Sequence, residues 1–69
     1  MPACSARLKD LRIEAGLSQS RLARAADVDR GTVVNAEAGK RISDLSAAKL
    51  AKALSSGIGR KIPVSEIAD

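Results

Sequence analysis

No aromatic residue and no histidine occurs in this 69-residue sequence, and cysteine occurs once, as Cys4. Each absence excludes something. A lone cysteine closes no internal disulfide, and one cysteine without histidine makes no zinc site. Neither staple that commonly holds small domains together is therefore at hand. With no histidine, no tyrosine and the one thiol near the N-terminus, no nucleophile is paired with a base. No catalytic residue, metal or cofactor is assigned, and the chain reads as non-enzymatic. No apolar run is long enough to span a bilayer, and the N-terminus lacks an apolar signal core. The expectation is a cytoplasmic protein without a membrane partner, with Cys4 reduced and exposed. Without aromatics, the core must come from Leu, Ile, Val and Ala, which suits short, closely packed helices.

The length is that of one domain, residues 1–69. A domain this small buries only about 60% of the surface of its chain, so compact packing or oligomerisation has to supply stability. The charge leans one way: 12 Lys and Arg stand against 8 Asp and Glu, a formal net charge of +4. That balance fits a polyanionic partner and says nothing about fold.

The punctuation is helical throughout. Leu8, Leu11 and Ala15 share one face at i, i+3, i+7, and Gly16 follows where a helix end favours positive φ. This predicts a first helix from Ser5 to Ala15. Ser18 then has N-cap chemistry for a second helix over Gln19–Ala26, with Leu22, Ala23 and Ala26 inward. Asp27-Val28-Asp29 makes a tight connection. Asp27 tolerates a left-handed backbone, Val28 plugs the corner, and Asp29 caps a third helix from Arg30 to Ala38, which Gly39 ends. After Lys40 and Arg41, Ser43 or Asp44 caps a fourth helix reaching Leu54, with Ala47, Leu50, Ala51 and Leu54 inward. Residues 55–61 read as a loop containing Gly57 and Gly59. Residues 63–67 read equally as a short helix capped by Ser65 or as a frayed tail. The fold class is all-α, a compact domain of four or five helices with its core over about residues 5–54.

The informative stretch is Ser18 to Gly39, two short helices around a three-residue turn with an apolar plug. Such a pair presents its second helix outward while the first braces it. In DNA-binding versions the start of that second helix enters the major groove. Arg30, Gly31, Thr32, Val34 and Asn35 lie there and are the candidate base-contacting residues. The arginine fork matches guanine O6 and N7, an asparagine amide matches adenine N6 and N7, and Thr32 or Val34 can meet a thymine methyl. Gly31 inside a helix costs up to about 1 kcal/mol relative to alanine, which suggests close approach of a partner. Lys40 and Arg41 are the candidate phosphate ligands after the helix.

Leu8-x-x-Leu11-Arg12, Gly16-Leu17-Ser18-Gln19, Leu22-Ala23, Val28, Val33 and Glu37-x-Gly39-Lys40 together resemble the phage Cro and repressor type of helix-turn-helix, the Xre family. The resemblance covers about Leu8 to Leu54. It implies a lambda-repressor-like fold that binds double-stranded operator DNA, usually as a two-fold homodimer. It also implies that Gln19, with Ser18 before it, contacts phosphate and braces the reading helix. Asp27 stands where the family's turn usually has glycine, and Asp29 where serine or threonine usually caps. The matching arginine and glutamate of the family commonly pair, so Arg12 and Glu37 are expected to form a mostly buried ion pair. The position of Arg12 beside core Leu11, and of Glu37 four residues after core Val33, fits that pairing.

The leading expectation is a repressor-like, sequence-specific transcription regulator. An antitoxin that represses its own operon and binds a toxin is one alternative. A protein-interaction module that kept the fold without DNA is another. Ile58, Ile62, Val64 and Ile67 exceed what a short tail needs. They are read as a dimer interface or, alternatively, as cover for the domain's own core.

Overall fold

A computed structural model describes residues 7–67. Five helices follow in order: α1 Arg7–Glu14, α2 Gln19–Ala26, α3 Arg30–Glu37, α4 Asp44–Ile58 and α5 Val64–Ile67. The fold is all-α, as the punctuation predicts. The expected start of the first helix at Ser5, and Cys4, lie outside the described residues.

The short helices hold because their ends are closed. Ser18 accepts a hydrogen bond from the Arg21 amide at 3.1 Å, and Ser43 accepts from the Ser46 amide at 3.1 Å. Each hydroxyl thereby satisfies one of the four orphan donors of a helix start. Three successive C-termini close with the same pair of bonds. Leu17 N–H donates to the Arg12 carbonyl while Gly16 N–H donates to Ile13. Val28 and Asp27 repeat this onto Ala23 and Arg24, and Lys40 and Gly39 onto Asn35 and Ala36. This Schellman geometry needs a left-handed residue at its corner. Gly16 and Gly39 supply it with φ of 73° and 81°, and Asp27 does so with φ 58°, ψ 47°. The expected side-chain cap at Asp29 is absent. Its backbone has N-cap geometry (φ −70°, ψ 147°), but its carboxylate makes no cap bond. The Thr32 amide is already taken by the Asp29 backbone carbonyl at 2.9 Å.

Leu8, Leu11, Leu22, Val33, Leu50, Leu54 and Ile67 are fully buried and form the centre of the core, with alanines filling the close helix approaches. Val28 packs against this core from the turn. Two expectations change at the C-terminal end. The fourth helix does not stop at Leu54 but runs on through Ser55-Ser56-Gly57 to Ile58. Packing overrides the weak helix propensity of this run, because Ile58 lies against the core and Gly57 lets α4 pass close to the end of α1. A Cβ built on Gly57 would stand 3.2 Å from Ala15 Cβ. Gly59, with φ 88°, then ends the helix. The tail is also not a free apolar surface. Ile62 and Ile67 are buried and Ile58 is half-buried, leaving only Val64 of the four proposed interface residues exposed. The first three cover the domain's own core, which removes them as a dimer interface. Ser55 ties the tail down, donating to the Ala51 carbonyl at 2.8 Å and accepting from Ile62 N–H at 2.7 Å. Glu66 adds ion pairs to Arg60 at 3.2 Å and to Arg7 of α1 at 3.5 Å.

Candidate nucleic-acid interface

Helix α3 has two faces. At about 100° per residue, Val33 and Ala36 point inward and are fully buried. Arg30, Val34, Gly31 and Asn35 follow one another around the opposite side within an arc of about 140°, and all four are exposed. Thr32 and Glu37 border that arc on its two edges, each half-buried. Thr32 faces back over a hollow lined by Asp27, Val28, Asp29, Ser46 and Lys49. It therefore stands at the rim of the exposed face rather than on it. The exposed face carries one cation, one amide, one apolar side chain and one bare backbone position. Arg30 and Asn35 make no side-chain hydrogen bond or ion pair among the described residues.

Glu37 is the only acid on α3, and it is turned inward. Arg12 grips it with both prongs of its fork, Nε to Oε2 at 2.5 Å and Nη2 to Oε1 at 3.2 Å. The remaining Nη1 donates to the Leu17 carbonyl at 3.0 Å. Gln19 donates its amide to Glu37 Oε1 at 3.3 Å. The side chains of Arg12 and Glu37 are 13% and 7% exposed. A buried charge survives only when paired and hydrogen-bonded, and here every buried side-chain polar atom among the described residues has a partner. This network joins α1, the loop before α2, the start of α2 and the end of α3 in one cluster. Sequence reasoning points to Arg12 and Glu37 but not to the Leu17 carbonyl, because a backbone atom leaves no mark in the residue pattern.

Gln19 has a second amide hydrogen to spare, and the Ser18 hydroxyl, which accepts in its cap, can still donate. Both sit at the start of α2. Lys40 and Arg41 follow the end of α3, both exposed, and the buried Ile42 anchors the segment immediately after them. Two further exposed arginines, Arg21 and Arg24, lie one turn apart on α2 without a side-chain partner among the described residues. Their i, i+3 spacing was available in the sequence as a signal. No group of three or more potential metal ligands occurs among the described residues.

The family model described as helix-turn-helix matches residues 8–59, most of the chain and all of α1 to α4 except Arg7. The chain belongs to the helix-turn-helix family. Its type is that of the Xre and lambda-repressor proteins. It is thus a DNA-binding helix-turn-helix protein of a regulatory, typically non-enzymatic kind. No curated protein and no solved structure matched the chain. No described helix is long and apolar enough to cross a membrane.

Proposed function

We propose that this helix-turn-helix protein is a repressor-like transcription regulator that reads a specific operator by laying the exposed face of α3 in the major groove. The observation that carries this reading is the composition of that face. Arg30, Gly31, Val34 and Asn35 are exposed and acid-free, while the helix's one acid, Glu37, is held inward by Arg12. Arg30 takes guanine O6 and N7, Asn35 takes adenine N6 and N7, and Val34 meets a thymine methyl. Thr32, at the rim, reaches a thymine methyl or a phosphate. Lys40, Arg41, Ser18 and Gln19 hold phosphates on either side and fix the register without reading sequence.

One copy gives a short reading frame. Its Cα extents are 26 × 21 × 19 Å, less than the roughly 34–36 Å between major-groove faces one helical turn apart. Two copies bind as a homodimer on two half-sites, and the two-fold symmetry of the protein appears in the operator. Binding measured against salt tests the division of labour. Lys40→Ala should weaken binding to all duplexes and flatten the salt dependence by about one counterion. Affinity that does not depend on salt would remove duplex DNA as the partner.

A further inference from the structure

We infer that the groove between α2 and α4 is a docking site for an acidic amphipathic helix of a partner protein, which seats an aliphatic side chain on the groove's alanines while its carboxylates meet Arg21, Lys49 and Lys52. The inference adds a protein partner to the operator reading proposed for α3 and does not rest on that reading.

Helices α2 and α4 leave between them a groove of about 370 Å³, to which α3 contributes no residue. Its floor is made of methyl groups. Ala26 and Ala53 are buried there, as a close approach of two helices requires, and Ala25 is exposed at the mouth. Lys49 and Lys52 line the α4 side. Arg21 lies one turn before Ala25 on the same face of α2. Against these three cations stands one acid, Asp27, which Lys49 already approaches at 3.9 Å. The fold itself has no use for the other two charges. Arg21 and Lys52 are exposed and make no side-chain hydrogen bond or ion pair among the described residues. Arg21 even stands in the first turn of α2, where the helix dipole disfavours a cation and no acid offsets it.

The combination of floor and rim selects the occupant. A phosphate backbone would use the cations but gain nothing from a floor of methyl groups. A neutral apolar helix would use the floor and leave the cations unanswered. An acidic amphipathic helix uses both, since its apolar stripe enters the groove and carboxylates beside that stripe reach the rim. The alanines leave room for a larger aliphatic side chain, so the contact that supplies affinity comes from the partner. The cations steer the approach and set its orientation. Arg30, Gly31, Val34 and Asn35 line no part of the groove. The exposed face of α3 therefore stays free, and the protein can hold DNA and the partner together.

The test uses the full chain and a dye-labelled helical peptide of glutamate, alanine and leucine, with its leucines at i and i+4. A scrambled peptide of the same composition is the control for charge alone. Fluorescence anisotropy should show the patterned peptide binding the parent more tightly than the scrambled one. Lys52→Glu and Ala25→Glu change exposed positions, so the fold is retained, and thermal melting verifies it. Each should weaken the patterned peptide by about 5- to 30-fold. Excess random-sequence duplex should leave the peptide bound. Equal binding of the scrambled peptide, or affinity unchanged in both folded variants, would overturn the inference. Displacement of the peptide by duplex would also overturn it, by assigning the cations to phosphate. None of these results touches the operator reading, which stands or falls on selection of a sequence motif by the chain alone.

Discussion

The Arg12–Glu37 pair concentrates much of what this small molecule depends on. Two forked bonds, one to a backbone carbonyl and one from Gln19 satisfy the pair where water is largely excluded. A pair of this kind contributes little relative to apolar residues of the same volume, but removing one partner leaves the other charge stranded, at about 3–5 kcal/mol. That is a large share of the total for a domain of this size, given about 0.05–0.15 kcal/mol per residue. Glu37→Gln should lower the melting temperature by more than about 10 °C, since each kcal/mol corresponds to about 4–8 °C in a small domain. Any loss of DNA binding should follow the unfolded fraction. Thermal circular dichroism of the variant checks this, and an unchanged midpoint would mean the pair does not hold the fold. The sequence made both partners visible through their spacing to core positions. It left Asp29 looking like an ordinary cap, because the residue type and backbone suit capping and only the missing side-chain bond departs from it.

Among the elements, two helical glycines, each one residue in from a helix end, have opposite reasons to be there. Gly57 in α4 serves packing. An added Cβ would stand 3.2 Å from Ala15 Cβ, which is fixed to its own backbone and has no rotamer to yield. Gly57→Val should therefore destabilise the protein by about 1–3 kcal/mol through overpacking. Gly31 in α3 serves nothing inside the chain. Nothing lies within 4 Å of its built Cβ, and its φ is not positive. Gly31→Ala should stabilise the fold, by up to about 1 kcal/mol of helix propensity, while weakening operator binding if the backbone of α3 approaches the bases there. Melting and binding measured on one preparation separate the two effects, and a rise in both would remove Gly31 from the interface. The helix-turn-helix elements were legible because caps and turn residues sit at their boundaries. The last turn of α4, after Leu54, was not, because Ser55-Ser56-Gly57 has loop composition and becomes helical only through contacts with distant Ala15 and the core.

For the whole molecule, the tail decides whether the core closes. Ile62 and Ile67 are 3% and 0% exposed, and burial of each contributes about 1.5–3 kcal/mol. A chain ending before Ile62 should be largely unfolded by circular dichroism. A truncated chain with parental melting would contradict this placement of the tail. Sequence alone left these isoleucines between core and interface, since burial by the same chain and burial by a second copy demand the same apolar residues. The clamp on the tail also has an acid signature. The hydrogen bond from Arg60, and then the charges of Arg60 and Arg7, outweigh desolvation and hold the Glu66 carboxyl below its ordinary value of 4.5. A depressed folded-state value stabilises above the unfolded pKa and is lost as pH falls through the folded one. Glu66→Gln should therefore be less stable than the parent at neutral pH, and the difference should vanish in acid below that range. A difference that persists there would assign the effect to packing.

If the exposed face of α3 reads operator sequence as proposed, Arg30 is the residue on which that reading depends most. Selection from a random duplex pool by the parent and by Arg30→Ala tests it most directly. The parent should enrich a two-fold symmetric motif with half-sites one helical turn apart, about 10 base pairs centre to centre. Arg30→Ala should lose one guanine in each half-site, at a cost of about 1–3 kcal/mol, and keep the rest. An identical motif from the folded Arg30→Ala protein would contradict the docking of α3 described above.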